Sequence, residues 1–175
     1  RMEPMSGFDM EDIIVKYKYP ITAIHRAKLQ QVLLNNFDPG QVKCGKKFTG
    51  YSETPGSVIA HFDDGSSVEG DFLLGADGIH SMVREQLFPG VKLRYSGQTC
   101  WRGVVDIALD RPFKKTTIES WGKAKRFGFS EITSNQVYWF AVLNSPEGQK
   151  DDPSTLKPGL LKTFSEFLQP VPQIL

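Results

Sequence analysis

The chain is 175 residues long and carries 21 Lys plus Arg against 20 Asp plus Glu, a formal charge of +1, so its balance supplies no basic face for a nucleic-acid backbone. Hydrophobic residues at 39% and charged residues at 23% fit one or two ordinary soluble domains. Apolar runs such as residues 72–74 and 139–143 fall far short of the roughly 18–20 residues that a membrane-spanning helix needs.

Taken in chain order, Ile13, Ile14 and Val15 followed by Tyr17 and Tyr19 predict a strand over residues 12–19, stopped by Pro20. A helix follows, with Ala27, Leu29, Val32, Leu33 and Phe37 near helical spacing and Asp38-Pro39-Gly40 closing the segment. Residues 48–53 and 58–62 are β-prone and separated by Thr54-Pro55-Gly56-Ser57, a hairpin signal; Asp63-Asp64-Gly65 then turns the chain toward Val68. Phe72-Leu73-Leu74 is a short apolar run entering Gly75-Ala76-Asp77-Gly78, and residues 81–87 have helical composition, giving strand, glycine turn, helix. Beyond Pro89-Gly90 the texture becomes that of longer strands, at residues 92–95, 99–107, 116–121, 125–130 and 137–143, for which an antiparallel sheet is the economical arrangement. After a linker over residues 145–158, Leu160, Phe164, Phe167 and Leu168 predict an amphipathic helix.

Several segments can be weighed for chemistry. Gly40-Gln41-Val42-Lys43-Cys44-Gly45-Lys46-Lys47 has the glycine and lysine spacing of a phosphate-binding loop. It fails because Lys47 stands where a Ser or Thr hydroxyl must hold magnesium, and because a helix rather than a strand leads into Gly40. No Gly-x-Gly-x-x-Gly fingerprint occurs, so a dinucleotide site of that form is not encoded here. His25, His61 and His80 lack metal-ligand spacing. Cys44 and Cys100 stand alone, with no sign of activation, no disulfide framework and no paired-thiolate site, and with no secretory leader in residues 1–18 the expected location is a reducing cytoplasm.

The informative segment is Gly70-Asp71-Phe72-Leu73-Leu74-Gly75-Ala76-Asp77-Gly78-Ile79-His80-Ser81-Met82-Val83-Arg84. Glycines let the backbone approach a ligand closely, and a helix start presents free amides to an anion. Asp77 at the tip can accept from ribose or ribitol hydroxyls, Ser81 can cap the helix, and Arg84 can secure a nearby carbonyl or carboxylate. A turn in which Asp77 merely caps the helix accounts for the same residues equally well.

This stretch resembles the second fingerprint of the class A flavoprotein monooxygenases, the FAD-dependent hydroxylases related to para-hydroxybenzoate hydroxylase, an apolar strand followed by Gly-x-Asp-Gly-x-x-Ser-x-x-Arg. Gly75, Asp77, Gly78, Ser81 and Arg84 fill its fixed positions. Upstream, the segment from Ile24 through Arg26 to Leu33 resembles the family's helix whose arginine faces the cofactor. Downstream, Trp101-Arg102-Gly103-Val104, Ser120-Trp121-Gly122 and Val137-Tyr138-Trp139-Phe140 resemble substrate-domain strands of the branch containing salicylate and urate hydroxylases and zeaxanthin epoxidase.

The resemblance implies an α+β (α/β) fold, the central piece of a para-hydroxybenzoate hydroxylase-like protein. Residues 1–90 would form a partial FAD-binding domain lacking its Gly-x-Gly-x-x-Gly unit, and residues 91–175 an antiparallel β-sheet substrate domain with a C-terminal helix. It further implies FAD contacts from Arg26, from the Val42 backbone and from Asp77. Substrate contacts would come from Arg126 and Tyr138, which lie 12 positions apart in two β-segments that could meet across a hairpin. Trp101, Arg102, Trp121 and Trp139 read as packing or sheet-surface residues. The implied reaction consumes NAD(P)H and O2 and hydroxylates an aromatic or heteroaromatic small molecule through a flavin C4a-hydroperoxide. The family's opening glycine fingerprint and later Gly-Asp-Ala segment are both missing, so the expectation is of a piece of a longer enzyme that by itself is inactive and binds FAD weakly or not at all. A non-catalytic module that keeps an oxidoreductase fold, or a flavin-dependent reductase, oxidase or epoxidase on the same scaffold, is the alternative.

Overall fold

The computed structural model describes residues 5–7 and 9–175. Two helices come first, α1 (Met10–Tyr17) and α2 (Arg26–Leu34). The α1 helix replaces the strand expected over residues 12–19. The β-branched run Ile13-Ile14-Val15 favours strands, but the boundaries favour a helix: Asp9 accepts from the Glu11 amide at the N-terminus, acids fill the first turn, and Lys18 adopts the left-handed conformation with its N–H on the Ile14 carbonyl. In α2, the side chain of His25 accepts from the Ala27 amide at 3.2 Å. Leu29, Val32 and Leu33 give it an apolar side that is 42–55% exposed.

The chain divides into two compact units, Gln31–Arg94 and Arg1–Gln30 with Tyr95–Leu175. In the first, β1 (Phe48–Thr54), β2 (Ser57–Phe62) and β3 (Ser67–Gly70) form an antiparallel sheet in that order. Thr54 pairs with Ser57, so Pro55 and Gly56 make a two-residue hairpin tip, as the turn residues predict. Helix α3 (Met82–Leu87) is fastened to β1 through Gln86, whose side chain donates to the Tyr51 carbonyl and accepts from the Tyr51 amide. The apolar run Phe72-Leu73-Leu74, expected as a strand, is irregular and has no ladder partner among the described residues; Phe72 is 75% and Leu74 80% exposed. A strand exists only through pairing, and composition cannot supply the neighbour.

In the second unit, β4 (Gln98–Asp106), β5 (Thr117–Gly122), β6 (Lys125–Thr133) and β7 (Gln136–Asn144) form an antiparallel sheet ordered β4-β7-β6-β5. The segment expected as a strand at residues 92–95 is loop; Tyr95 donates its hydroxyl to the Ser145 carbonyl instead of joining the ladder. Because side chains alternate, the register sorts the sheet into two faces. One carries Trp101, Val105, Ile118, Phe127, Phe129, Val137, Trp139 and Ala141, and it packs on Leu160 of α4 (Leu156–Thr163), on Phe164 and Phe167 of the following turn, and on Val171 and Ile174 of α5 (Val171–Ile174). Trp139 stacks on Phe127 at 5.8 Å, and Phe127 meets Phe164 edge-on at 5.9 Å. The single amphipathic helix expected through Leu168 thus ends at Thr163. Phe164 and Phe167 are buried from a turn, Leu168 is 54% exposed, and Pro170 and Pro172 restart the chain as a separate short helix.

Candidate functional site

The turn before α3 is built around Asp77. Its Oδ1 accepts from the Ser81 hydroxyl at 2.6 Å, and its Oδ2 from the amides of Met82 at 2.8 Å and Val83 at 3.3 Å. Ser81 is the N-cap and accepts from the Arg84 amide at 3.0 Å, while Arg84 reaches back to donate to the Ile79 carbonyl. Asp, Ser and Arg of the fingerprint therefore interlock at the entrance to the helix. Gly75 is required by close approach: a Cβ there would lie 2.8 Å from the Cβ and Cγ1 of Val83. Gly78 has φ +83 and open space beside it, so the backbone at the tip is bare. The Ser81 hydroxyl bond, followed by the local amides, holds the Asp77 carboxyl below its ordinary range, so the group is anionic at neutral pH.

The residues present suit a polyhydroxylated, anionic cofactor such as FAD. A carboxylate offers about four lone-pair sites, and the three bonds described at Asp77 leave it capacity to accept from a ligand hydroxyl. Arg26, at the start of α2, is exposed and has no ion-pair or hydrogen-bond partner among the described residues. Val42 is 43% exposed in the irregular segment before β1, with its backbone outside any ladder. A cleft of about 400 Å³ in the same unit, lined by Tyr51, Val58, Asp71, Leu73, Val83 and Leu87 among others, does not include Asp77.

The face of the four-stranded sheet opposite its core carries Arg102 and Val104 of β4, Tyr138, Phe140 and Val142 of β7, Arg126 and Ser130 of β6, and Glu119 and Trp121 of β5. Arg126 and Tyr138 do share this face, but they do not meet across the hairpin. Arg126 pairs with Val142 and Tyr138 with Ser130, which sets them four residues apart along the ladder, about 13 Å at ~3.3 Å per residue. Arg126 donates to Glu119 at 3.1 Å, its Nε is buried without a partner among the described residues, and it borders a cleft of about 320 Å³ with Trp121, Gln98 and Asn144. Tyr138 lies beside Phe140, ring centroids 6.3 Å apart, and Phe140 covers Gly128. Sequence reasoning missed Glu119 as the acid neutralising Arg126. The available signal was the spacing around the Gly122 turn, which places Trp121 opposite Arg126 and Glu119 one diagonal away.

Among the described residues no group of three or more His, Cys, Asp or Glu could hold a metal ion, and no helix is long and apolar enough to cross a membrane. The class follows from the comparisons: the family model described as FAD binding domain matches residues 9–160. The chain belongs to this family, within the class A FAD-dependent monooxygenases. It is 37% identical over 175 residues to the aurachin C monooxygenase/isomerase of Stigmatella aurantiaca, covering 100% of this chain and 45% of that protein. To the FAD-dependent urate hydroxylase of Klebsiella pneumoniae it is 31% identical, covering 99% of this chain and 45% of the relative. Among solved structures, Klebsiella pneumoniae HpxO complexed with FAD and uric acid superposes with a TM-score of 0.83 at 28% identity, over 95% of this chain and 43% of that one. The chain thus spans less than half the length of these relatives.

Proposed function

We propose that this chain is the part of an FAD-dependent, NAD(P)H-consuming monooxygenase that grips the flavin cofactor and floors the substrate pocket, and that the whole enzyme hydroxylates an aromatic or heteroaromatic small molecule in the cytoplasm. The observation that carries the reading is the interlocked turn of Asp77, Ser81 and Arg84, an ionised carboxylate with spare acceptor capacity at a bare backbone. When bound, FAD supplies the redox and oxygen-activating chemistry. Asp77 accepts from cofactor hydroxyls, Arg26 contributes a positive charge toward the cofactor, and the Val42 backbone lies against it.

On the open sheet face, Phe140, Val142 and Trp121 exclude water and hold a flat ring by contact, while Arg126 and Tyr138 offer donors that orient its polar edge. The FAD-dependent relatives and the neighbour complexed with FAD and uric acid support a heteroaromatic substrate. Reconstituting the natural full-length polypeptide with FAD and following NAD(P)H oxidation against a panel of aromatic substrates tests the proposal. Substrate-stimulated oxidation with a hydroxylated product is expected. An FAD-free protein, or oxidation that yields only hydrogen peroxide with every substrate, would count against it.

A further inference from the structure

We infer that Arg102, rather than Arg126 alone, is the group that selects for charge in the substrate, and that the preferred ligand is a planar aromatic carrying an ionised oxygen. This rests on the monooxygenase reading of the sheet's open face and deepens it. Arg126 lies against Glu119 at 3.1 Å, so its charge is already compensated on that face. Arg102 is exposed, and its guanidinium touches only the Cys100 thiol, at 3.6 Å from Nη2 to Sγ; no carboxylate among the described residues pairs with it. On the same face the Phe140 ring lies beside that of Tyr138, centroids 6.3 Å apart. Arg102 pairs across the ladder with Phe140, and by leaning along β4 toward Cys100 its head reaches the rung shared by Cys100, Val142 and Arg126. Asp106, the other acid of this face on β4, is four residues from Arg102, about 13 Å along the strand, and it accepts from Gln136.

An uncompensated guanidinium beside the Phe140 ring and Val142 is a receptor for a flat anion. The Phe140 ring takes its face, and the planar fork of Arg102 takes its carboxylate or enolate oxygens by charge-assisted bonds. A neutral ring would satisfy the floor and leave the fork unpaired. Composition alone marks the position as sheet surface; what distinguishes it is the alternation of β4, which puts Arg102 on the face away from the partly buried Trp101 and Val105.

The test is calorimetric titration of the full-length polypeptide at neutral pH with salicylate and with 4-hydroxyquinoline-2-carboxylate, each against its neutral carboxamide. Wild type is expected to prefer the anions. Arg102→Gln should weaken anion binding by about tenfold or more, the scale of one charge-assisted bond, and weaken amide binding by less than about twofold. Arg102→Lys, which keeps the charge but loses the fork, should fall between, and it serves as the second variant if Arg102→Gln does not fold. Equal losses for anion and amide, or a wild type that does not prefer either anion, would overturn the inference. Flavin absorbance of the same samples separates the two readings: a protein that cannot take up FAD defeats the monooxygenase proposal, whereas a yellow protein with unaltered charge preference in Arg102→Gln defeats only the role of Arg102.

Discussion

The carboxylate of Asp77 gains the Ser81 hydroxyl and the Met82 and Val83 amides only when the turn is formed, which lowers its folded pKa relative to the unfolded chain. The resulting stabilisation is fully present above the ordinary Asp range near ~3.9 and fades as pH falls through the lower folded value. Asp77→Asn should therefore flatten the acid limb of a denaturation-midpoint profile below about pH 4; an unchanged acid limb would mean that the bonds do not favour the ionised form. Ser81→Ala removes the cap and should cost about 1 kcal/mol of stability by urea unfolding. At Gly75, an added methyl meets Val83 at 2.8 Å, and Gly75→Ala should cost about 1–3 kcal/mol, with Val83→Ala in the double variant restoring part of that loss. Asp77, Ser81 and Arg84 were legible because each fills a fixed place in one short motif. Arg102 and Glu119 were not, since their importance depends on a register that brings distant segments side by side.

At the scale of elements, hairpins read well and lone apolar runs did not. Pro55-Gly56 and Asp64-Gly65 fix local turns, so β1 to β3 follow from residues close in sequence. Strands β4 to β7 showed in their β-prone composition, and their alternation foretells which side is buried. The run at residues 72–74 and that at residues 92–95 had the same composition but no partner in the ladder, and the Ile13-Ile14-Val15 run was overruled by its helix caps. The C-terminal helix ends at Thr163, and its last expected apolar residues, Phe164 and Phe167, enter the core from the turn that follows. Phe164 is 1% exposed and packs on both Phe127 and Phe167. Phe164→Ala should cost about 3–5 kcal/mol, seen as a lowered denaturation midpoint; a cost near that of a surface substitution would show that the turn after α4 does not brace the sheet.

For the molecule as a whole, the proposed function draws on both units, on the Asp77 turn in one for the cofactor and on the open sheet face in the other for the substrate. Family membership follows from the match over residues 9–160, and the particular substrate follows from neither unit alone. The most direct test of the central claim is the visible absorbance of the full-length polypeptide after FAD reconstitution and gel filtration, alongside Asp77→Ala. The account predicts a yellow protein holding about one FAD per chain and a variant that loses most of it at the same concentration. A wild type that emerges colourless, or a variant that retains FAD as well as wild type does, would contradict it.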